Sequence, residues 1–410
     1  MDQSRFDNRH EEFLDAPSAA EFLGVKAATL YTYVSRGLIR RIPGPSGEGS
    51  RYRRDDLERL RARKHARSGH GPVAAAALHW GEPVIDSAIT DIRPDGPYYR
   101  GRSAVDLAKS GTPFEVVADW LWSGDDATHE PWAVDEFEPS PNVRPLIPPG
   151  APPITPLALA IPLLQVRDPA RFNSTPEAER ARARRLIPML IATLGLYHGR
   201  EVHGSVAESL LWALGAKPDA VSIDAVNQGL VLSADHELNA STFAARVAAS
   251  TGADLYACLS AGMAALSGPR HGGMFTRIEV MLQTFRPPEL AGNVVFERMR
   301  LGEMVPGFGH PLYPERDPRA EPLLKLASQL HSESRPLAKL LAIRHAMAEA
   351  GHEPPTLDFG MVALAKALLL PPGSAHIMFA VGRMAGWIAH ILEQRTEPDV
   401  LRPRARYTGE

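Results

Sequence analysis

Residues 255–273 read Leu255-Tyr256-Ala257-Cys258-Leu259-Ser260-Ala261-Gly262-Met263-Ala264-Ala265-Leu266-Ser267-Gly268-Pro269-Arg270-His271-Gly272-Gly273. Leu255, Leu259, Met263 and Leu266 recur at three- and four-residue spacing, which places them on one helix face and predicts a buried stripe. Cys258 within that run reads as a small core residue. Ser267-Gly268-Pro269 then stops the helix and leaves His271 among helix-breaking residues. Gly272 and Gly273 would let a backbone approach a ligand closely. Similar apolar patterning recurs from Met361 to Leu370 and from Ile377 to Leu392. The chain beyond residue 156 therefore reads as helix after helix, and the main body is predicted to be all-α.

A length of 410 residues suggests two or three domains, and 44% hydrophobic with 23% charged residues fits a globular core. The net charge of -3 gives the whole chain no bulk attraction for nucleic acid or an anionic membrane. With Cys258 alone there is no intramolecular disulfide, which fits a reducing compartment. Met1 to Arg9 is polar, without an apolar signal segment. The uncharged apolar run between Asp254 and Arg270 falls short of the ~20 residues that span a bilayer. A cytoplasmic protein with no membrane partner is expected.

The first 67 residues form a distinct unit. Ser18 and Glu21 have capping-box spacing for a short helix through Phe22 and Leu23, and Gly24 breaks it. A second helix is predicted from about Ala27 to Ser35, stopped by Gly37, and a third from Asp55 to about Lys64. Pro43 to Ser50 is a turn-rich loop. This order resembles the helix-turn-helix DNA-binding domain of the mercury-resistance-regulator (MerR) and excisionase families, with that loop as the wing. From Arg36 to Arg67 there are eleven Lys/Arg and four Asp/Glu, a local charge of 11 - 4 = +7 suited to phosphate contacts. Lys26, Thr29, Tyr31, Thr32 and Arg36 would face DNA. A docking or dimerisation module is the alternative, since a fold does not fix a function. Residues 68–77 read as a linker. Ile85 to Arg102 reads as short strands with a turn at Asp95-Gly96, and Pro131 to Pro156, with nine prolines, as an irregular surface connection.

Four segments place chemically versatile side chains in unusual surroundings. Asp235-His236-Glu237-Leu238-Asn239-Ala240-Ser241 opens a helix, and Ser267 to Gly273 presents His271. Pro306-Gly307-Phe308-Gly309-His310 is followed by Asp317-Pro318-Arg319, and Pro354-Pro355-Thr356-Leu357-Asp358-Phe359-Gly360 precedes an apolar helix. Each histidine taken alone reads as a satisfied structural residue, and Asp358 alone as a helix N-cap. A zinc site competes for the histidines, but they lack close ligand spacing such as H-x-x-x-H and Cys258 offers no cluster, so no metal is expected.

Together, in this order, the four segments resemble the citrate synthase family from about Val84 to the C-terminus. Tyr99-Arg100-Gly101, Val105-Asp106-Leu107-Ala108 and Phe114-Glu115-Val116-Val117 add to the likeness. The resemblance implies a large all-α part, 78–271 with 371–410, and a small part, 272–370. It implies condensation of acetyl-CoA with oxaloacetate to citrate and CoA, without a cofactor beyond the acyl-CoA substrate. Asp358 would be the base, His271 the stabiliser of the enol, and His310 the group that polarises the ketone. His236, Asn239, Arg319 and Arg383 would hold oxaloacetate, with Arg402 reaching in from the second subunit of a homodimer. The CoA grip would involve Arg270, Pro306, Gly307, Phe308, Gly309 and Arg316.

The CoA half departs from the family pattern. Pro311 and Pro314 stand where basic residues are usual, Met274-Phe275 replaces Ala-Asn after the His271 segment, and Arg270 stands at a usually neutral position. Three readings stay open: a citrate synthase with a rearranged CoA grip, a 2-methylcitrate synthase using propionyl-CoA, and a metabolite-sensing DNA-binding regulator on the same scaffold.

Overall fold

In the computed structural model the described residues are 13–23, 25, 29–30, 33–34, 39, 41–43, 50–54, 57, 85–124, 132, 140–330 and 334–403. The chain divides into two units, Met1–Ile85 with Arg402–Glu410, and Asp86–Leu401.

In the first unit, β1 (Phe13–Asp15) leads into α1 (Ala16–Leu23), and β2 (Arg41–Pro43) and β3 (Ser50–Arg53) follow. β3 pairs antiparallel with both other strands, with Leu14 opposite Tyr52 and Ile42 opposite Arg51. The helix cap differs from the Ser18 box expected: Asp15 Oδ1 accepts the Ser18 N–H at 2.8 Å, so Asp15 caps a helix that starts earlier. Ala19, Leu23, Leu30, Ile39, Tyr52 and Leu57 make a small core of their own. Thr29 is helical and half-buried; Lys26, Tyr31, Thr32 and Arg36, the rest of the expected DNA-facing set, lie outside the described residues.

The second unit opens with an antiparallel sheet of β4 (Thr90–Arg93), β5 (Gly96–Tyr99) and β6 (Arg102–Ser103), with the expected turn at Asp95-Gly96. Helices follow: α2 (Ala104–Lys109), α3 (Phe114–Ser123), α4 (Thr155–Arg167), α5 (Pro176–His198), α6 (Val206–Leu214), α7 (Ala220–Ser233), α8 (Ala240–Ser250) and α9 (Leu255–Leu266). The series continues with α10 (Gly273–Gln283), α11 (Ala291–Arg300), α12 (Ala320–Leu330), α13 (Arg335–Glu349), α14 (Leu357–Ala367) and α15 (Ser374–Arg395). The mainly α fold is thus as expected. The proline-rich connection is less superficial than its composition suggests. Trp132 is buried there and stacks on Trp122 with centroids 5.2 Å apart. An indole buries too much apolar area to be left in water.

α15 is the centre of this unit, packing against α3, α5, α7, α8, α9, α10 and α14. By length and composition it could cross a membrane, yet its apolar window is wholly buried inside the protein. Two glycines make its close packing possible. At Gly382 a Cβ would collide with Ser233 Oγ and the Leu230 carbonyl, and at Gly386 with the Asp235 carboxylate and the Ala234 carbonyl. Gly386 N–H instead donates to Ala234 O at 2.9 Å, and Trp122 Nε1 donates to Ala385 O at 2.9 Å. Gly386→Ala is expected to destabilise the protein by about 1–3 kcal/mol, as overpacking does. A lowered unfolding midpoint in thermal or denaturant titration checks this, and an unchanged midpoint contradicts the packing described.

Candidate active site

Three loops and α15 converge on one site. The first is the turn between α7 and α8. Asn239 is the N-cap of α8, its Oδ1 accepting the N–H groups of Ser241 and Thr242 at 3.2 Å each, while its Nδ2 is buried without a partner. The second is the loop between α9 and α10, where Gly272 is the N-cap and His271 stands at the positive end of α10. The third is the Gly307–His310 loop, and it is joined to the entry of α14. Gly307 O accepts Thr356 N–H at 2.9 Å, Gly309 N–H donates to Pro354 O at 3.0 Å, and Phe308 bridges to Pro355. Gly307 has φ +87°, and a Cβ there would press on Ile278 and Phe359. Pro306, Gly307 and Phe308 are buried, so this stretch of the expected CoA grip joins two loops.

The joint fixes Asp358, in the first turn of α14; the N-cap is Thr356 and not Asp358 as its local sequence suggests. Asp317 ties the next piece on. Its carboxylate binds Arg319 in a bidentate manner, 2.9 Å to Nε and 2.9 Å to Nη2, and also accepts the Leu357 N–H at 2.9 Å. Burial raises the Asp317 pKa, but Arg319 outweighs it and keeps the group ionised. Burial also pushes the Asp358 carboxyl above its usual range, with the Arg319 charge opposing and the Asp317 charge adding. Such a carboxylate is a better base than a solvated one.

His236, His310 and Tyr313 form an aromatic corner. His236 and His310 have centroids 5.3 Å apart, and His236 Nε2 shares a 3.0 Å hydrogen bond with the Tyr313 hydroxyl. The Arg319 guanidinium lies 5.3 Å from the centre of the Tyr313 ring. His310 Nδ1 accepts the Leu312 N–H at 3.2 Å, which leaves Nε2 to carry the proton of the neutral ring. Burial, followed by the Arg319 charge, brings the His310 pKa down to about 4. Burial, with Arg319 and Arg383 next, holds His236 well below its usual value.

Arg383 links the corners. Its side chain is buried, its Nε donates to Ser233 O at 2.8 Å, and among the described residues it has no carboxylate partner. Its charge is felt by His236 and His271. Burial, then Arg383 and His376, brings His271 down to about 4. His271 Nε2 lies 2.8 Å from Ser241 Oγ. That oxygen also receives Trp387 Nε1–H at 3.1 Å and lies 2.7 Å from Asn239 Oδ1, so its single proton must choose between Asn239 and His271.

The expected site residues are thus largely brought together: His236, Asn239, His271, His310, Arg319, Asp358 and Arg383 all belong to this convergence. Arg402 is exposed, one residue beyond Leu401, whose N–H donates to Ser250 Oγ at 3.0 Å. Arg270 and Arg316 are exposed and make no ion pair among the described residues. Sequence reasoning missed Tyr313, Ser241, Asp317 and Trp387 as working parts. Tyr313, between two prolines, was the legible one, because an aromatic with a hydroxyl beside a G-F-G-H loop is a ready partner for a histidine. No group of three or more His, Cys, Asp or Glu side chains suited to a metal ion occurs among the described residues.

The sequence model for "Citrate synthase, C-terminal domain" matches residues 77–404. The chain belongs to the citrate synthase family. A model for "Helix-turn-helix domain" matches residues 13–65. Citrate synthase 2 of Bacillus subtilis is 36% identical over 271 residues, 63% of this chain and 73% of its own. The 2-methylcitrate synthase 2 of Corynebacterium glutamicum is 28% identical over 355 residues, covering 79% and 92%. Among solved structures, the ternary complex of carboxymethyl coenzyme A and oxaloacetate with the citrate synthase of Thermoplasma acidophilum superposes with a TM-score of 0.69. It is 24% identical and covers 80% of this chain and 94% of its own, which shows the shared fold. This family member is an enzyme of the citrate synthase type with a helix-turn-helix module ahead of it.

The depressed histidines predict how stability follows pH. Folded-state values below the unfolded 6.5 mean that the unfolded chain binds protons the native site refuses, for His236, His271, His310 and His376. Stability contributed by these groups is complete above about pH 6.5 and lost as pH falls toward 4. Asp358, Glu115 and Glu237, raised by burial, act in the opposite sense at lower pH, while His198 adds to the four imidazoles. A falling melting temperature from pH 7 to pH 5, flattened in His376→Leu, is the expected result. A flat profile in the parent protein contradicts it.

Proposed function

We propose that the protein condenses acetyl-CoA with oxaloacetate, giving citrate and CoA. The observation that carries this is Arg383: a buried guanidinium that makes no ion pair among the described residues is costly, and an anionic substrate would complete it. Arg319, already aligned by Asp317, would hold a second carboxylate, as bidentate recognition favours. Asn239 Nδ2 is a free donor near the same turn, and His236 the neutral donor beside it.

In this reading Asp358 takes a proton from the thioester methyl group, and the enol carbon attacks the ketone of oxaloacetate. His310 donates from Nε2 to the ketone oxygen as it gains charge. His271 donates from Nδ1 to the enol oxygen, which requires Ser241 to give its proton to His271 Nε2. Water then hydrolyses the thioester and releases CoA. Arg270 and Arg316, exposed and without an ion pair among the described residues, are the cations proposed to meet the CoA phosphates. A homodimer with Arg402 supplied across the interface, and large and small parts divided at 271/272 and 370/371, belong to the same proposal. Propionyl-CoA is the alternative thioester, as the name of the Corynebacterium relative suggests.

CoA-thiol release with oxaloacetate and either acetyl-CoA or propionyl-CoA tests the reaction and names the thioester. Asp358→Asn should lower turnover by about 10²- to 10⁴-fold while oxaloacetate still protects the protein against unfolding. Undiminished turnover in that variant removes Asp358 from the role of base.

A second reading concerns the N-terminal unit, which we propose binds DNA. It is favoured by the helix-turn-helix match over residues 13–65 and by the +7 stretch from Arg36 to Arg67. Selection of double-stranded sites from random DNA by the full-length protein is expected to enrich a roughly palindromic sequence. Enrichment of none leaves docking or dimerisation as the module's role.

A further inference from the structure

The turn that presents His236 is held in an unfavourable conformation. Glu237, the next residue, has φ +56°, one of three described non-glycine residues with positive φ. Side-chain-bearing residues adopt this region only where their surroundings hold them there. The hold is Asp235. Its Oδ2 accepts the Glu237 N–H at 3.1 Å, and its N–H donates to the Tyr99 hydroxyl at 3.2 Å. Oδ1 makes no hydrogen bond among the described residues, although the Thr90 side chain also acts on this carboxylate, so Oδ2 is the oxygen seen to hold the Glu237 N–H.

What fixes Oδ2 is His390. Its Nε2 lies 3.3 Å from Asp235 Oδ2, and both side chains are wholly buried. His390 follows Arg383 by seven residues on α15, nearly two full helical turns, so both point to the same side. One reaches the site directly, and the other lies under the turn that carries His236. Behind His390 lies an ion-pair network, although its Nδ1 makes no hydrogen bond among the described residues. Glu393 Oε2 is 3.9 Å from its Nδ1 and 2.7 Å from Arg246 Nη1, and Arg246 Nε donates to Gln394 Oε1 at 2.7 Å. None of these groups belongs to the four segments that carry the reaction.

We infer that His390 is a positioning residue for the dicarboxylate substrate, acting through Asp235 to lock the strained Glu237 turn and so the orientation of His236. This rests on the reading that His236 contacts oxaloacetate. Loss of the lock frees the turn to relax, and His236 then leaves its alignment with Tyr313. The cost falls on binding of the ketodiacid, since Asp358 stands on α14 and His271 on the loop before α10, and His271 meets the His236 segment only at Ser241, beyond the strained turn.

The test compares full-length His390→Ala, His390→Gln and Asp235→Asn. His390→Ala should raise the KM for oxaloacetate by about tenfold or more, in line with the effect of small misplacements. The kcat and the KM for the acyl-CoA should stay within about threefold in the same scheme. Glutamine, whose amide can donate to Asp235 Oδ2, should recover most of the loss. Asp235→Asn keeps the volume and removes the charge, and it should give the same KM rise if His390→Ala does not fold. Crystals of the variants should show Glu237 out of the positive-φ region and His236 displaced from the Tyr313 hydroxyl. An unchanged oxaloacetate KM overturns the inference, as does a common loss in all three constants with Gln no better than Ala. If the parent protein releases no CoA, the proposed activity fails, and the position of His236 in those crystals decides the positioning role by itself.

Discussion

The close approach of α15 to the end of α7 is the constraint on which the rest depends. Gly382 and Gly386 let the helix lie against Ser233, Ala234 and Asp235 at distances no side chain would allow. That contact sets where Arg383 emerges and where Asp235 is clamped, and hence where the turn bearing His236 begins. A helix buried along nearly its whole length has little freedom to shift, since interiors are packed at crystal-like density. A guanidinium carried on such a helix is placed with little conformational entropy left to lose on binding.

The loops around α15 are organised by a second device, the carboxylate of Asp317. It aligns Arg319 with two parallel hydrogen bonds and holds the start of α14 through Leu357 N–H. The Gly307–His310 loop is fastened to the same start by backbone hydrogen bonds. His310, Asp358 and Arg319 are thereby parts of one joint. The site keeps its imidazoles neutral by burying them beside two arginines, so that they donate hydrogen bonds without carrying charge.

The N-terminal unit is built on independent principles. Its core of small aliphatic residues around Tyr52 is separate from the main core, and its helix is capped by Asp15 from the preceding strand. A module that closes its own core can be joined to an enzyme without altering the enzyme's packing. Communication between the two would have to take the form of an affinity change for one ligand on binding of the other.

The sequence by itself determined the mainly α class, the stripe of α9, the helix-turn-helix order and the residues around which the site is built. These follow from short-range rules: apolar spacing, glycine and proline breaks, and local motifs around His236, His271, His310 and Asp358. It misplaced what depends on who accepts a particular proton. The cap of α1 belongs to Asp15 and not Ser18, and Asp358 is not the cap of α14, because several nearby oxygens could serve and only the folded backbone selects one. Tertiary structure alone decided that Trp132 anchors a proline-rich connection and that Asp317 serves two loops. It alone decided that Ser241 stands between Trp387, Asn239 and His271, and that His390 lies under the His236 turn. These are contacts between residues as far apart in the chain as Ser241 and Trp387 or Asp235 and His390. Spacing carries no record of such partners, because they meet only when helices distant in sequence pack against α15.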